Sequence, residues 1–482
     1  HLSIRRQRQM CIRDRGQYIR AMDLVPEEAV YHRNAGATYF RLGRFYEALE
    51  ELQTAVETDP TYADACHVLG KVQEALGHYE EALQQFRRAI ELEPERAVFH
   101  RDMGVAFRRL GRPEEATRSL RRAVELQPTE AEGHEELATA YWEQGNQEKA
   151  LEEYRWALEL APGQAVYHRD LGVALRRLGQ LAEAEKHLVF ARDLDPKDGR
   201  NHYELGMLHA QKGLYDAALG CYHQAAQLDP HSALYFLHEG VACRNLGQHD
   251  RAVAALHQAL VLSPDMPEVH AELGQVYSAQ GRDEEALEEY RRAVGLAPSV
   301  AEYQSHLGGV LRRLGRRDEA ALALNAATRL QKGYAPAHFE LGRLLHDEGR
   351  PKEALAEYGR AVRLSPQVAA YHLALGEAAR ELGRYTEATE HLERAIALSP
   401  LEAAAHFELG LVFQEEKRLE EALDKFDRAA ALDANQARHH FRRGQVLSLL
   451  GKEEEAIRAL EEATRLRSDD AEAYRLLGDI HL

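Results

Sequence analysis

At 482 residues the chain has the length of about three or four ordinary domains, and its 45% hydrophobic and 29% charged residues with only 15 prolines exclude a disordered chain. Sixty-one Lys and Arg against 79 Asp and Glu leave a net charge of -18, which argues against a nucleic-acid or anionic-membrane surface along the chain, and no apolar stretch approaches the roughly 20 residues that span a bilayer. Cys11, Cys66, Cys221 and Cys243 lie far apart with no CxxC pair, so they are read as reduced structural thiols, with no disulfide framework and no metal or cofactor expected.

The composition is uniform from end to end, and a shift of 34 residues brings nearly every glycine and most prolines into register, the signature of a stacked array. In chain order, residues 1–15 fall outside the period, with Gln9 and Asp14 at the turn-glycine and packed-alanine places. Arg5 to Arg15 (RRQRQMCIRDR) resembles translated sequencing-adapter read-through, and the segment is expected to be non-native. Its other reading is a basic arm for nucleic acid or membrane. Without residues 1–15 the chain loses five arginines and one aspartate, and its charge moves from -18 to -22. Residues 16–28, with Tyr18, Ala21 and Pro26 in register, are expected to form the second helix of a truncated repeat. Thirteen repeats run from 29 to 470 without insertion, and 471–482 is expected to be the first helix of a truncated fourteenth. His1 in place of methionine and the missing last partner helix make both ends look cut; 51 arginines against ten lysines fit a GC-rich bacterial genome, and the chain is read as a metagenomic fragment.

Counting places from Ala29, glycine holds place 8 from Gly36 to Gly478, interrupted at Ala138, and place 15 from Gly43 to Gly451, interrupted at Lys417. Alanine holds places 20 and 27 throughout, from Ala48 and Ala55 to Ala456 and Ala463. Proline closes most repeats from Pro60 to Pro400, with Lys332, Ala434 and Ser468 as departures. Two antiparallel helices per repeat account for these places. Leu69, Gly70 and Gln73 share one face of a first helix, and Ala82, Phe86 and Ala89 form a stripe on a second. Gly77 falls where the first helix must reverse and can take the left-handed conformation that costs other residues about 1 kcal/mol. Pro94 stops the second helix.

The 34-residue period, with Leu-Gly in the first helix, Ala-x-x-x-aromatic in the second and a closing proline, resembles the tetratricopeptide repeat family over about 94% of the chain. The resemblance implies an all-α fold, a right-handed α-solenoid superhelix of tandem helix-turn-helix repeats, with a concave face made mainly by the first helices and used to hold proteins or peptides. A longer period lies on top. Place 24 is leucine in odd repeats (Leu52 to Leu460) and aromatic in even ones (Phe86, Tyr154, Tyr222, Tyr290, Tyr358, Phe426), so the unit of duplication is 68 residues.

No phosphate loop, HExxH, GxSxG or GxGxxG occurs, and no enzymatic activity is expected. Ten of 25 histidines stand at place 4, from His32 to His440. First helices about 8–10 Å apart cannot bring one ring each to the roughly 2 Å bonds of a shared metal. The rings are expected to pack half-buried with one nitrogen hydrogen-bonded. If they are buried neutral, stability should fall as pH drops through about 5 to 6.

In the family the concave face is lined by places 2, 5, 9, 12 and 13, which here carry Arg33, Arg41, Arg101, Arg108, Arg109, Arg169, Arg176, Arg177, Arg244, Arg312, Arg313 and Arg380 in odd repeats. Even repeats answer with Asp64, Glu74, Glu132, Glu135 and Glu143. Two readings stand: an arginine groove for carboxylates or phosphates, or a lattice of inter-repeat ion pairs such as Arg101 with Glu135. Place 5 turns largely apolar toward the C-terminus, through Leu237, Ala271, Ser305, Phe339, Leu373, Phe407 and Phe441, a row that marks a partner site unless neighbouring helices cover it. The expected partner is a protein or peptide with apolar groups near Phe339, Leu373, Phe407 and Phe441 and acidic groups toward Arg101, Arg108, Arg169 and Arg176. The Lys and Asn places of the repeat clamp for chaperone C-termini are not reproduced, nor is the asparagine ladder of O-linked sugar transferases. The function read from the sequence is a non-enzymatic interaction scaffold; the alternatives are the repeat region of a larger glycosyltransferase or kinase-like enzyme, or an envelope assembly factor. The compartment stays open, with the cytoplasm slightly favoured over the periplasm.

Overall fold

The alternation of a 13-residue and a 14-residue helix in every repeat follows from the two glycine and proline stops. In the second repeat the helix Ala63–Ala75 ends where Gly77 takes φ +81° and the His78 amide donates back to the Gln73 carbonyl at 2.8 Å; the helix Tyr79–Leu92 ends just before Pro94. Twelve turn glycines share this left-handed conformation, and Lys417 adopts it as well, at φ 62°. Side-chain N-caps are few among the described residues, with Asn146, Asp198 and Asp470 supplying them, so the helices draw their stability from packing rather than from their ends.

A computed structural model describes Val25 and residues 28–481, and among these residues there are 27 α-helices and no strand. The expected non-native segment 1–15 lies outside the described residues, as does the expected helix 16–28 apart from Val25 and Glu28. The chain divides into two compact units, 1–235 and 236–482. Each is an all-α solenoid in which helix pairs stack in chain order.

Within a pair, small residues set the spacing. Ala48, Ala55, Ala82 and Ala89 are fully buried, and a Cβ at Gly70 would stand 2.7 Å from the Phe86 ring, as one at Gly342 would stand 2.6 Å from Tyr358. Between pairs, successive first helices pack together more than successive second helices do, which puts the first helices on the inner side of the curve. These first-helix contacts concentrate in the steps from odd to even repeats, as from 97–109 to 131–143 and from 301–313 to 335–347, and are sparse at the even-to-odd steps.

The 68-residue period therefore has a structural meaning. Closer odd-to-even steps are tied by arginine. Arg108, Arg176, Arg244, Arg312 and Arg380 at place 12 each reach a glutamate at place 6 of the next repeat, Glu136, Glu204, Glu272, Glu340 and Glu408. Wider even-to-odd steps are filled by rings. The place-24 ring, the place-5 ring and the place-3 ring of the next repeat stack in sequence as Phe86, His67 and Phe99, with centroids 5.8 and 4.7 Å apart. The same trio recurs as Tyr358, Phe339 and Tyr371 (5.9 and 4.8 Å) and as Phe426, Phe407 and His439 (5.6 and 5.0 Å).

Candidate functional site in the inner groove

The inner face carries the arginines and the place-5 residues singled out by the sequence, and most of them are already engaged. Arg101 is only 8% exposed and donates to Asp102, Glu130 and Glu132. Arg108 adds a bidentate contact with Glu143 to its bond with Glu136, and Arg169 holds Asp170 and Asp198. Arg176 and Arg244 pair with Glu204 and Glu272, and Arg312 forks between Glu340 and Asp347. Arg33 lies half-buried 3.7 Å from Asp64, while Arg109 and Arg177 are exposed. The ion-pair lattice thus supplies the carboxylates internally, and its pairs differ from the expected one: Arg101 turns to Glu130 and Glu132, not to Glu135. The place-5 row is largely covered. Phe407 is 6% exposed, while Phe339, Leu373 and Phe441 are half-buried and Phe339 and Leu373 pack into the same core.

The place-4 histidines latch adjacent repeats. The Nε2–H of His134, His270, His338, His372 and His406 donates to the carbonyl six residues earlier, at 3.0 to 3.2 Å. His134 also bonds Glu153 through Nδ1 at 2.6 Å, and this carboxylate contact, with the carbonyl on the other nitrogen, raises its pKa above the ordinary value. Burial instead pushes His372 and His406 down. A uniform loosening on acidification is therefore not what these three rings give: the shift at His134 is opposite in sign to those at His372 and His406. Among the described residues no group of three His, Cys, Asp or Glu side chains is placed to hold a metal ion, and no helix is long and apolar enough to cross a membrane.

Two even-to-odd steps lack the middle ring, because place 5 holds Glu135 in one and Ala271 in the other. Both are open. Between repeats 131–164 and 165–198 lies a cavity of about 390 Å³ walled by Glu135, Thr139, Trp142, Tyr154, Asp170 and Arg177. Two 68-residue periods later a cavity of about 330 Å³ is walled by Gln275, Tyr290, Ser305, His306 and Arg313. Tyr154, Arg177 and Glu204 of the first correspond in register to Tyr290, Arg313 and Glu340 of the second. A third cavity, about 400 Å³, lies on the second-helix side beside Lys332, Arg360 and Arg363.

The first cavity is electrostatically unusual. Thr139 Oγ1 donates to the Glu135 carbonyl at 3.1 Å and stands 3.1 Å from Tyr154 Oη. Burial, with Glu136 and Asp170 nearby, pushes Glu135 up to about 8, and burial raises Asp170 as well. The Trp142 ring has the Arg177 guanidinium 6.0 Å from its centroid. In the sequence Glu135 reads as one acid of the inner-face lattice and Tyr154 as a packing aromatic, while Thr139, Trp142 and Asp170 carry no site assignment. The signal that would have found them is the absence of a ring at place 5 between two tyrosines, Tyr154 and Tyr167.

Stacked helix pairs with an inner groove define the class as a helical-repeat solenoid of the kind that serves as a protein-interaction scaffold. Tetratricopeptide repeat models match residues 27–92 and 58–129, and 101–165, 169–233, 237–301, 307–369, 373–437 and 441–482. The chain belongs to the tetratricopeptide repeat family. Among solved structures it is similar to a chain of the APC/C hetero-tetramer Cut9-Hcn1, with a TM-score of 0.55 and 14% identity over 94% of this chain and 96% of that one, a likeness of fold. A comparison with curated protein sequences returns no match.

Proposed function

We propose that the chain is a non-enzymatic scaffold that holds protein or peptide partners against the inner face of its first helices. The observation that carries this reading is the pair of cavities at one register of the 68-residue period, both lined by inner-face side chains. The lattice and the ring stacks keep the helices at fixed spacing, and partner contact is left to what they do not consume. In this reading Arg101, Arg108, Arg169, Arg176, Arg244, Arg312 and Phe407 form the frame. Arg109, Arg177 and the accessible edges of Arg33, Phe339, Leu373 and Phe441 meet the partner.

A photo-crosslinking amino acid placed at Thr139 or Gln275, and in parallel at Glu152 or Glu288 on second helices, tests the face. Peptides selected from a random display library on the immobilised chain should crosslink at the first pair and not at the second. Crosslinks confined to the second-helix positions, or a library with no enriched peptide, would remove the proposal.

A further inference from the structure

Resting on that reading, we infer that the cavity between repeats 131–164 and 165–198 receives a basic side chain, arginine or lysine, from a bound peptide, with Glu135 and Asp170 as its counter-charges and Trp142 as its aromatic wall. The chain carries its own precedent for the occupant. One 68-residue period earlier, the residues in register with Glu135, Thr139 and Asp170 are His67, Lys71 and Asp102. There His67 Nε2 lies 2.8 Å from Asp102 Oδ2, the Lys71 ammonium lies 3.6 Å from the same oxygen, and the His67 ring fills the step between Phe86 and Phe99. Besides Arg101, whose counterpart Arg169 is kept on Asp170, the aspartate is thus met by a ring and a second cation supplied from within. In the next period the ring has become Glu135 and the lysine Thr139, so the aspartate keeps its place while the ring and the cation that filled the step are both gone.

The consequence is a cavity at the lower end of the roughly 300–1,000 Å³ range of ligand pockets, in which carboxylates face one another. Glu135 is held toward its neutral form by burial and by Glu136 and Asp170; Arg108 from the preceding repeat and the Thr139 hydroxyl oppose this, and Tyr154 and Tyr167 flank it without charge. The cations already present do not fill the place. Arg169 is spent on Asp170 and Asp198, and the Arg177 guanidinium lies 6.0 Å from the Trp142 centroid, at the wall of the cavity. An entering guanidinium or ammonium would restore the balance found around Asp102 and add a cation–π contact. Anions are disfavoured by the same carboxylates. The corresponding cavity of the other unit has Ala271, Ser305 and His306 in place of Glu135, Arg169 and Asp170, and offers no such pair of acids.

The test uses the whole chain and three acetylated, amidated pentapeptides Gly-Ser-Xaa-Ser-Gly, with Xaa arginine, its uncharged isostere citrulline, or glutamate, followed by tryptophan fluorescence and calorimetry in two buffers of different ionisation enthalpy. The arginine peptide should bind at least about tenfold more tightly than the citrulline peptide. It should release a proton on binding near neutral pH, because a cation beside Glu135 favours its carboxylate. The double variant Glu135→His with Thr139→Lys rebuilds the arrangement around Asp102 and should weaken arginine-peptide binding by about tenfold or more while the helical signal persists. Glu135→Gln, which is isosteric, should abolish the proton release and serves if the double variant does not fold. Equal binding of arginine and citrulline peptides, unaltered binding in both variants, or a response to calcium chloride in place of the arginine peptide would overturn the inference. Loss of arginine-peptide binding with inner-face crosslinks intact would sink this inference alone and leave the scaffold reading standing.

Discussion

The step from repeat 131–164 to repeat 165–198 and the step from repeat 403–436 to repeat 437–470 occupy the same register of the 68-residue period and differ in one side chain at their centre. In the second, the Phe407 ring lies 5.6 Å from Phe426 and 5.0 Å from His439, and the gap between first helices becomes core. In the first, Glu135 stands there, and a cavity of about 390 Å³ remains. The wide step recurs through the array, and the place-5 residue separates its two forms: a ring at Phe407 fills it, while Glu135 leaves a cavity.

The largest expected effect comes from emptying a filled step. Phe407→Ala should destabilise the surrounding repeats by about 3–5 kcal/mol, the cost of removing a buried aromatic ring, read as loss of hydrogen-exchange protection in 403–470. A change near zero would mean the ring is a surface contact and would erase the contrast. Gly342→Ala should cost about 1–3 kcal/mol, since its Cβ meets the Tyr358 ring at 2.6 Å. Ala138 stands at this place in the open step, where Tyr154 is 7% exposed against 3% for Tyr358. The variant should likewise raise solvent access to Tyr358, measured by tyrosine nitration. In the opposite direction, Ala271→Phe supplies the missing ring between Tyr290 and Tyr303 and should stabilise by about 1 kcal/mol in chemical denaturation.

The smallest effect separates the regions by pH. In repeat 131–164 His134, Glu135 and Glu136 are all raised. The folded state there binds more protons than the unfolded one, so acidification stabilises: the penalty on Glu135 is full above about 8 and relaxes as pH falls toward 4.5, while the His134 contribution is complete below 6.5 and is lost as pH rises above it. His306, His372, His406 and His439 are lowered. Their contribution is complete above the ordinary value of 6.5 and is lost as pH falls below it. Each proton sets a slope of at most about 1.4 kcal/mol per pH unit. Hydrogen-exchange protection, corrected for intrinsic rates, should rise in 131–164 from pH 8 to 6 and fall in 369–406 from pH 7 to 5. Parallel changes in both would break the contrast.

The sequence by itself determined the repeat, both its 34-residue and 68-residue periods, the helices and their stops, because these rest on local rules: left-handed glycine at Gly77, a closing proline at Pro94, and small residues wherever a second helix crosses a first. Half of the candidate site was also legible, in that the inner face and its residues were named from the spacing of first-helix places. Only the tertiary structure decided what those residues do. Arg101 had many carboxylates of its own and the next repeat to choose among, and turned to its neighbour Asp102 and, across the turn into the next repeat, to Glu130 and Glu132. Phe407 and Glu135 share a place in the repeat, yet one closes a gap and the other lines it. That gap belongs to the spacing between neighbouring first helices, a distance set by packing across repeats and written in no single one of them.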